Sequence, residues 1–123
     1  MCWRIEKTFS FEASHQLVGL PEGHKCGRDH GHGYKLTIAI ESNELQPEGW
    51  VKDFGELAVL KKYIDENFDH RNLNEVLVES TTSEHLARHF FHWCRGNIKF
   101  PRNASLIWAR ISETETSSAT YWK

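Results

Sequence analysis

Apolar and polar residues alternate along two stretches in the first third of the chain, and a period of two marks a half-buried β-strand. Over residues 7–17, Phe9, Phe11, Ala13, His15 and Leu17 fall on one face, with Ser10, Glu12, Ser14 and Gln16 on the other. Over 30–41 the apolar face carries His30, His32, Tyr34, Leu36, Ile38 and Ile40. A Pro- and Gly-bearing loop at about 18–29 separates them. The spacing then turns helical across 53–67 (Phe54, Leu57, Leu60, Ile64), opened by Asp53 with Glu56 three residues on, a capping-box pattern. A second helix is expected from Thr81 or Thr82, carrying Leu86, Phe90 and Trp93 and stopping by Gly96. Residues 104–112 and 117–122, rich in Ile, Trp, Thr and Tyr, return to strand character. The predicted order is strand, strand, helix, helix, strand, strand. No linker, repeat or low-complexity segment interrupts it, so residues 1–123 read as a single domain.

Composition narrows the functional classes. A chain of 123 residues can bury one core. A net charge of -2 gives no basic footprint for nucleic acid. The three cysteines (Cys2, Cys26, Cys94) are odd in number and scattered, which argues against a disulfide scaffold or a zinc ribbon. Charges near the first residues and the lack of any long apolar run predict a cytoplasmic protein with no membrane partner. The anomaly is histidine, with 8 in the chain.

Three of the histidines converge. His30 and His32 stand at i and i+2, so on a strand they share a face about 6.5–7 Å apart. If the first two strands form an antiparallel pair, His15 comes to the same rim. Three imidazoles leave the fourth tetrahedral position of Zn²⁺ open, the arrangement of a catalytic site. An all-imidazole set suits zinc better than magnesium or calcium, with iron or nickel also compatible. Any one of the three alone would read as a satisfied core histidine.

Cys26, just upstream, has two readings. It is either a fourth ligand closing a structural site, with His24 a further candidate, or a reactive thiol beside an open metal, its thiolate favoured by Lys25 and Arg28. Asp69-His70 follows the first helix, and a neighbouring carboxylate can poise an imidazole for proton exchange. Taken alone, that pair reads as a solvated helix end. Glu113 shares a face with Ile107, Ala109 and Ile111. His85, His89 and His92 line one helical stripe but lack the glutamate of an HExxH metal site, and read as a solvated or interface-facing surface.

Phe11-Glu-Ala-Ser-His15, Cys26-Gly-Arg-Asp-His30-Gly-His32-Gly-Tyr34, Asp53-Phe54, Asp69-His70, Ser83-Glu84 and Ser112-Glu113-Thr114 occur in that order. In this the chain resembles the 6-pyruvoyl-tetrahydropterin synthase family over nearly its whole length. Residues 21–28 (Pro-Glu-Gly-His-Lys-Cys-Gly-Arg) look most like its bacterial branch, the 6-carboxy-5,6,7,8-tetrahydropterin synthases of the queuosine pathway. Two positions depart from the family pattern: Asp29, where an apolar or neutral residue is commoner, and Thr81, where proline is common.

The resemblance implies an α+β T-fold, a four-stranded antiparallel sheet with two helices on one face. It also implies trimers or hexamers whose sheets join into a barrel, with active sites between subunits. It assigns His15, His30 and His32 to zinc, leaves Cys26 as a proton-transferring thiolate, gives Asp69 and His70 a proton relay, and makes Glu113 the grip on the pterin. The implied reaction is conversion of 7,8-dihydroneopterin triphosphate to 6-carboxytetrahydropterin, acetaldehyde and triphosphate, with Lys25 and Arg28 as candidates for the triphosphate. The alternatives are a 6-pyruvoyl-tetrahydropterin synthase, which loses no carbon, and a non-enzymatic zinc-stabilised module.

Overall fold

The computed structural model describes residues 2–123. Strand β1 (Trp3–His15) pairs antiparallel with β2 (His30–Ser42) over its full length, from Trp3 opposite Ser42 to His15 opposite His30. β1 thus starts earlier than the alternation from residue 7 suggests, because β2 runs on to offer it partners. It also stops at His15, since Leu17 turns away to donate its N–H to the Cys26 carbonyl.

Phe54–Leu57 form a 3₁₀ turn capped by the Asp53 side chain, and helix α1 follows over Ala58–Asn67. The capping residue is the expected one, but Phe54 is not in the core: it is 48% exposed, because the tighter turn rotates it off the Leu57–Leu60–Ile64 face. Next come a two-residue strand β3 (Arg71–Asn72), a single helical turn α2 (Leu73–Val76) and the long helix α3 (Ser83–Asn97), N-capped by Thr82. Strands β4 (Ala104–Thr114) and β5 (Ser117–Trp122) complete the sheet.

The sheet has five strands in the order β3-β1-β2-β4-β5. This corrects the expectation of four antiparallel strands: β3 lies parallel to β1, with Ala13 beside Arg71 and Ser14 beside Asn72. Two residues are too few to show a period, so nothing in the hydrophobic pattern marks them. One face of β1, β2 and β4 packs against α1 and α3 in a single core that includes Phe11, Leu36, Ile38, Leu60, Ile64, Phe90 and Ile111.

Two bulges shape β4. Against β2 the register jumps between the Ala39–Trp108 and Ile40–Leu106 pairs, leaving Ile107 without a partner. Leu106 therefore joins the core face in place of Ile107, correcting the strict alternation read from the sequence. Trp108 falls on the uncovered face, yet it is only 8% exposed, with Arg110 lying 4.3 Å from its ring centroid. Against β5 the register shifts again between Ile111 and Thr114, so Ser112 and Glu113 together stand against a single residue. Bulges of this kind re-aim side chains, and here the side chain is Glu113.

Candidate active site

The antiparallel register puts His15 directly opposite His30, and strand alternation puts His32 on their face, next to Tyr34 and Phe11. Ring centroids are 4.6 Å apart for His15–His30, 5.1 Å for His15–His32 and 4.7 Å for His30–His32. One nitrogen from each comes within 4.8 Å of the others, which makes the trio able to hold a metal ion.

The tautomers are set by partners that can only accept. The His15 Nδ1–H donates to the Thr81 carbonyl at 2.9 Å, and the His30 Nδ1–H to the Arg28 carbonyl at 2.6 Å. Both Nε2 atoms are left with lone pairs, and these face one another at 3.1 Å. That contact is repulsive unless a cation lies between them. Zn–N bonds of about 2.0–2.1 Å would set tetrahedral ligands about 3.3 Å apart, close to the spacing seen. The third nitrogen, His32 Nε2, is buried with no hydrogen-bond partner. Lone pairs converging on a spot, with backbone carbonyls orienting the rings behind them, fit a divalent metal. Burial also lowers the pKa of His15 and so favours the neutral, ligating form.

Cys26 is not part of that trio. It sits in a 3₁₀ turn, half-buried, with its N–H donated to His24 Nδ1 at 3.1 Å and its carbonyl accepting Leu17 N–H at 3.0 Å. His24 thereby caps the turn through Nδ1, and it lies outside the trio. Glu113 lies beside the trio: one carboxylate oxygen accepts the Ser83 hydroxyl at 2.7 Å and the other is 3.5 Å from His32 Nε2. The Tyr34 hydroxyl is buried and unpartnered nearby, and burial together with the Glu113 charge raises its pKa.

Asp69 and His70 stand elsewhere. Asp69 Oδ1 accepts the Glu12 N–H at 2.9 Å, and its other oxygen is 3.7 Å from His70 Nε2. His70 has φ of 58°, a left-handed backbone uncommon outside glycine, and its side chain is 78% exposed. Such strain is tolerated where surrounding structure enforces it, and it gathers at functional sites. Among the described residues, the hydrogen bonds and ion pairs of Asp69 and His70 run to each other, to Glu12 and to the Ile64 carbonyl, and none reaches the three imidazoles. His70 lines a cavity of about 410 Å³ with Glu12, Ser14, Gly31, His32, Arg71 and Asn72.

The helical histidine stripe is solvated only in part: His92 is exposed, whereas His85 and His89 are half-buried. His89 is half-buried between the helices, bonded to the Tyr63 hydroxyl at 2.7 Å, while His85 bonds Thr82 and His92 reaches Tyr121. Cys94 is buried, its thiol pKa pushed up to about 12, and inert. Gln16 and Asn74, joined by two hydrogen bonds between the Gln16 backbone and the Asn74 carboxamide, were not singled out in the sequence; the only available signal was the cap-like Asn-Leu-Asn after the Asp-His pair.

The family model for 6-pyruvoyl tetrahydropterin synthase matches residues 4–123. A Synechocystis protein named 6-carboxy-5,6,7,8-tetrahydropterin synthase is 37% identical over 98% of this chain and 93% of its own. The Haemophilus influenzae protein of the same name is 31% identical over 97% and 98%. Among solved structures, 6-pyruvoyl tetrahydropterin synthase from Caenorhabditis elegans superposes with a TM-score of 0.83 at 26% identity, covering 98% of this chain and 95% of that one. An uncharacterized Wolinella succinogenes protein, with a TM-score of 0.87 at 22% identity and 98% coverage of both chains, shares the fold. The chain belongs to the 6-pyruvoyl tetrahydropterin synthase family, and it is an enzyme of that family.

Proposed function

We propose that this chain is a zinc-dependent carbon–carbon lyase that converts 7,8-dihydroneopterin triphosphate to 6-carboxy-5,6,7,8-tetrahydropterin, acetaldehyde and triphosphate, a step of cytoplasmic queuosine biosynthesis. Residues 1–123 act as one catalytic domain in this reading. The observation that carries it is the set of three imidazoles with its fourth side open, in a chain so similar along its length to relatives named for that product. Zinc, held by His15, His30 and His32, would polarise the side-chain oxygens of the substrate and ease proton removal beside them.

The chain's own groups supply the rest. Cys26, lying outside the metal trio, serves as a thiolate that takes up and returns a proton. His70 handles a second proton, with Asp69 holding its ring. Glu113, fixed by Ser83, accepts two hydrogen bonds from the amino-pyrimidine edge of the pterin. Atom balance requires one water when the three-carbon side chain is cut to a carboxylate and acetaldehyde. Lys25 and Arg28 are exposed and beside Cys26, where they suit the triphosphate.

Because no hydrogen bond or ion pair joins Asp69 or His70 to the trio of their own chain, the site lies between copies in this proposal, His70 of one serving the metal of another. A homo-oligomer, trimeric or hexameric, would also cover the edge of β1 that β3 leaves unpaired over most of its length.

Product analysis after incubation of zinc-loaded protein with dihydroneopterin triphosphate tests the reaction. Acetaldehyde and the carboxypterin in equal amounts are expected. Triphosphate release with a 6-pyruvoyl product and no acetaldehyde would instead assign the activity for which the Caenorhabditis relative is named.

A further inference from the structure

Residues 69–74 leave α1 and run beside the end of β1, and side chains fasten them at both ends. At the near end Asp69 Oδ1 accepts Glu12 N–H, and His70 N–H donates to the Glu12 carbonyl at 2.6 Å. The middle is the two-residue β3. At the far end the carboxamide of Asn74 takes both backbone groups of Gln16: Gln16 N–H donates to Asn74 Oδ1 at 2.7 Å, and Asn74 Nδ2 donates to the Gln16 carbonyl at 2.9 Å. Asn74 itself is held by its N–H, which donates to Asn72 Oδ1 at 2.9 Å.

Gln16 follows His15 directly. Its side chain donates from Nε2 to the Gly27 carbonyl at 2.7 Å, and Gly27 follows Cys26. One asparagine, acting through one glutamine, therefore meets three pieces of chain: the strand end with His15, the turn with Cys26 and the segment with Asp69 and His70. A single residue whose N–H and C=O both bond one partner is how a strand meets its neighbour. Asn74 supplies with a side chain the pairing that β3 is too short to give. Both residues are exposed, so core packing does not explain an amide at either position.

We propose that Asn74 and Gln16 are positioning residues that hold the metal ligand His15, the Cys26 turn and the Asp69–His70 segment in one frame. The roles of those three groups are the ones assigned under the proposed function. Neither amide touches metal or substrate; Asn74 acts on the end of β1, and Gln16 carries the restraint across to Cys26. The two should therefore separate experimentally.

The test uses the whole chain, zinc as the probe and iodoacetamide labelling read on the Cys26 peptide. Asn74→Ala is expected to weaken zinc binding about tenfold, the lower range for loss of a support behind a metal ligand. It should also speed Cys26 labelling about fivefold, the effect of one lost hydrogen bond. Gln16→Glu keeps the shape but cannot donate to Gly27, and should speed Cys26 labelling likewise while leaving zinc affinity unchanged. Asn74→Asp keeps the acceptor for Gln16 N–H and loses the donor; it should lie between wild type and Asn74→Ala, and it serves if the alanine variant does not fold. Unchanged zinc affinity in both Asn74 variants, unchanged Cys26 labelling in Gln16→Glu, or equal zinc loss at both positions overturns the proposal. These readouts need no turnover, so a wild type without lyase activity counts against the reaction alone.

Discussion

His15, His30 and His32 are held differently. His15 is 1% exposed and His30 half-buried, each with Nδ1 tied to a backbone carbonyl, whereas His32 has no hydrogen bond behind it and faces the Glu113 carboxylate. Removing His32 leaves two oriented imidazoles, too few for a tight tetrahedral site. His32→Ala should come off the column without zinc by elemental analysis, and full occupancy would sink the three-histidine assignment. Cys26→Ala should do the reverse, keeping zinc and lowering kcat by roughly 10²–10⁴-fold, the range for losing a proton-transfer group. Loss of both zinc and fold in that variant would return Cys26 to the role of ligand. The trio could be read in the sequence because a period of two puts residues 15, 30 and 32 on the apolar faces of their strands, and antiparallel pairing of those strands brings all three to one rim. The part played by Thr81 could not, since it contributes a carbonyl, which every residue possesses. His24 was equally ambiguous, because an imidazole that caps a turn and one that binds a metal look alike in a sequence.

At the scale of elements, the helix pair shows a titratable group built into its packing. His89 of α3 is bonded to Tyr63 of α1, and burial holds its pKa below the ordinary 6.5. Between that lowered value and 6.5 the unfolded chain binds more protons than the folded one. Stability is therefore full above pH 6.5 and falls as the pH drops through that range. Metal-free wild type should lose Tm on acidification more steeply than His89→Gln, which keeps a partner for Tyr63 but cannot titrate. Parallel curves would place the acid sensitivity elsewhere. The two long strands and both helices were legible because each carries a sustained period. β3 and the turn at Phe54 were not: one is set by side chains of residues 69 and 74 gripping β1, the other by a local choice between 3₁₀ and α spacing that one apolar residue does not decide.

At the scale of the molecule, no hydrogen bond or ion pair links the trio to the Asp69–His70 pair of one chain, and the proposed function joins them across copies. Mixing inactive Cys26→Ala and His70→Ala proteins, unfolding and refolding them together, tests this directly. Random assembly in equal amounts should restore about a quarter of the wild-type sites, since each site draws one group from each of two subunits. No recovery would mean that both groups act within one chain.

Ile107 has a consequence for how this chain tolerates change in length. Leu106 and Trp108 already face the consecutive residues Ile40 and Ala39, so the sheet passes over the residue between them. Deleting a residue from a central strand ordinarily turns everything beyond it inside out. Here, removal of Ile107 would close that bulge and leave Trp108, Ala109 and Ile111 opposite the partners they have now. A chain one residue shorter, with zinc affinity intact, is the expected product; a metal-free or insoluble protein would show that the bend itself is required. In a lineage, this is the place in the sheet where an insertion or a deletion can pass without reaching the site.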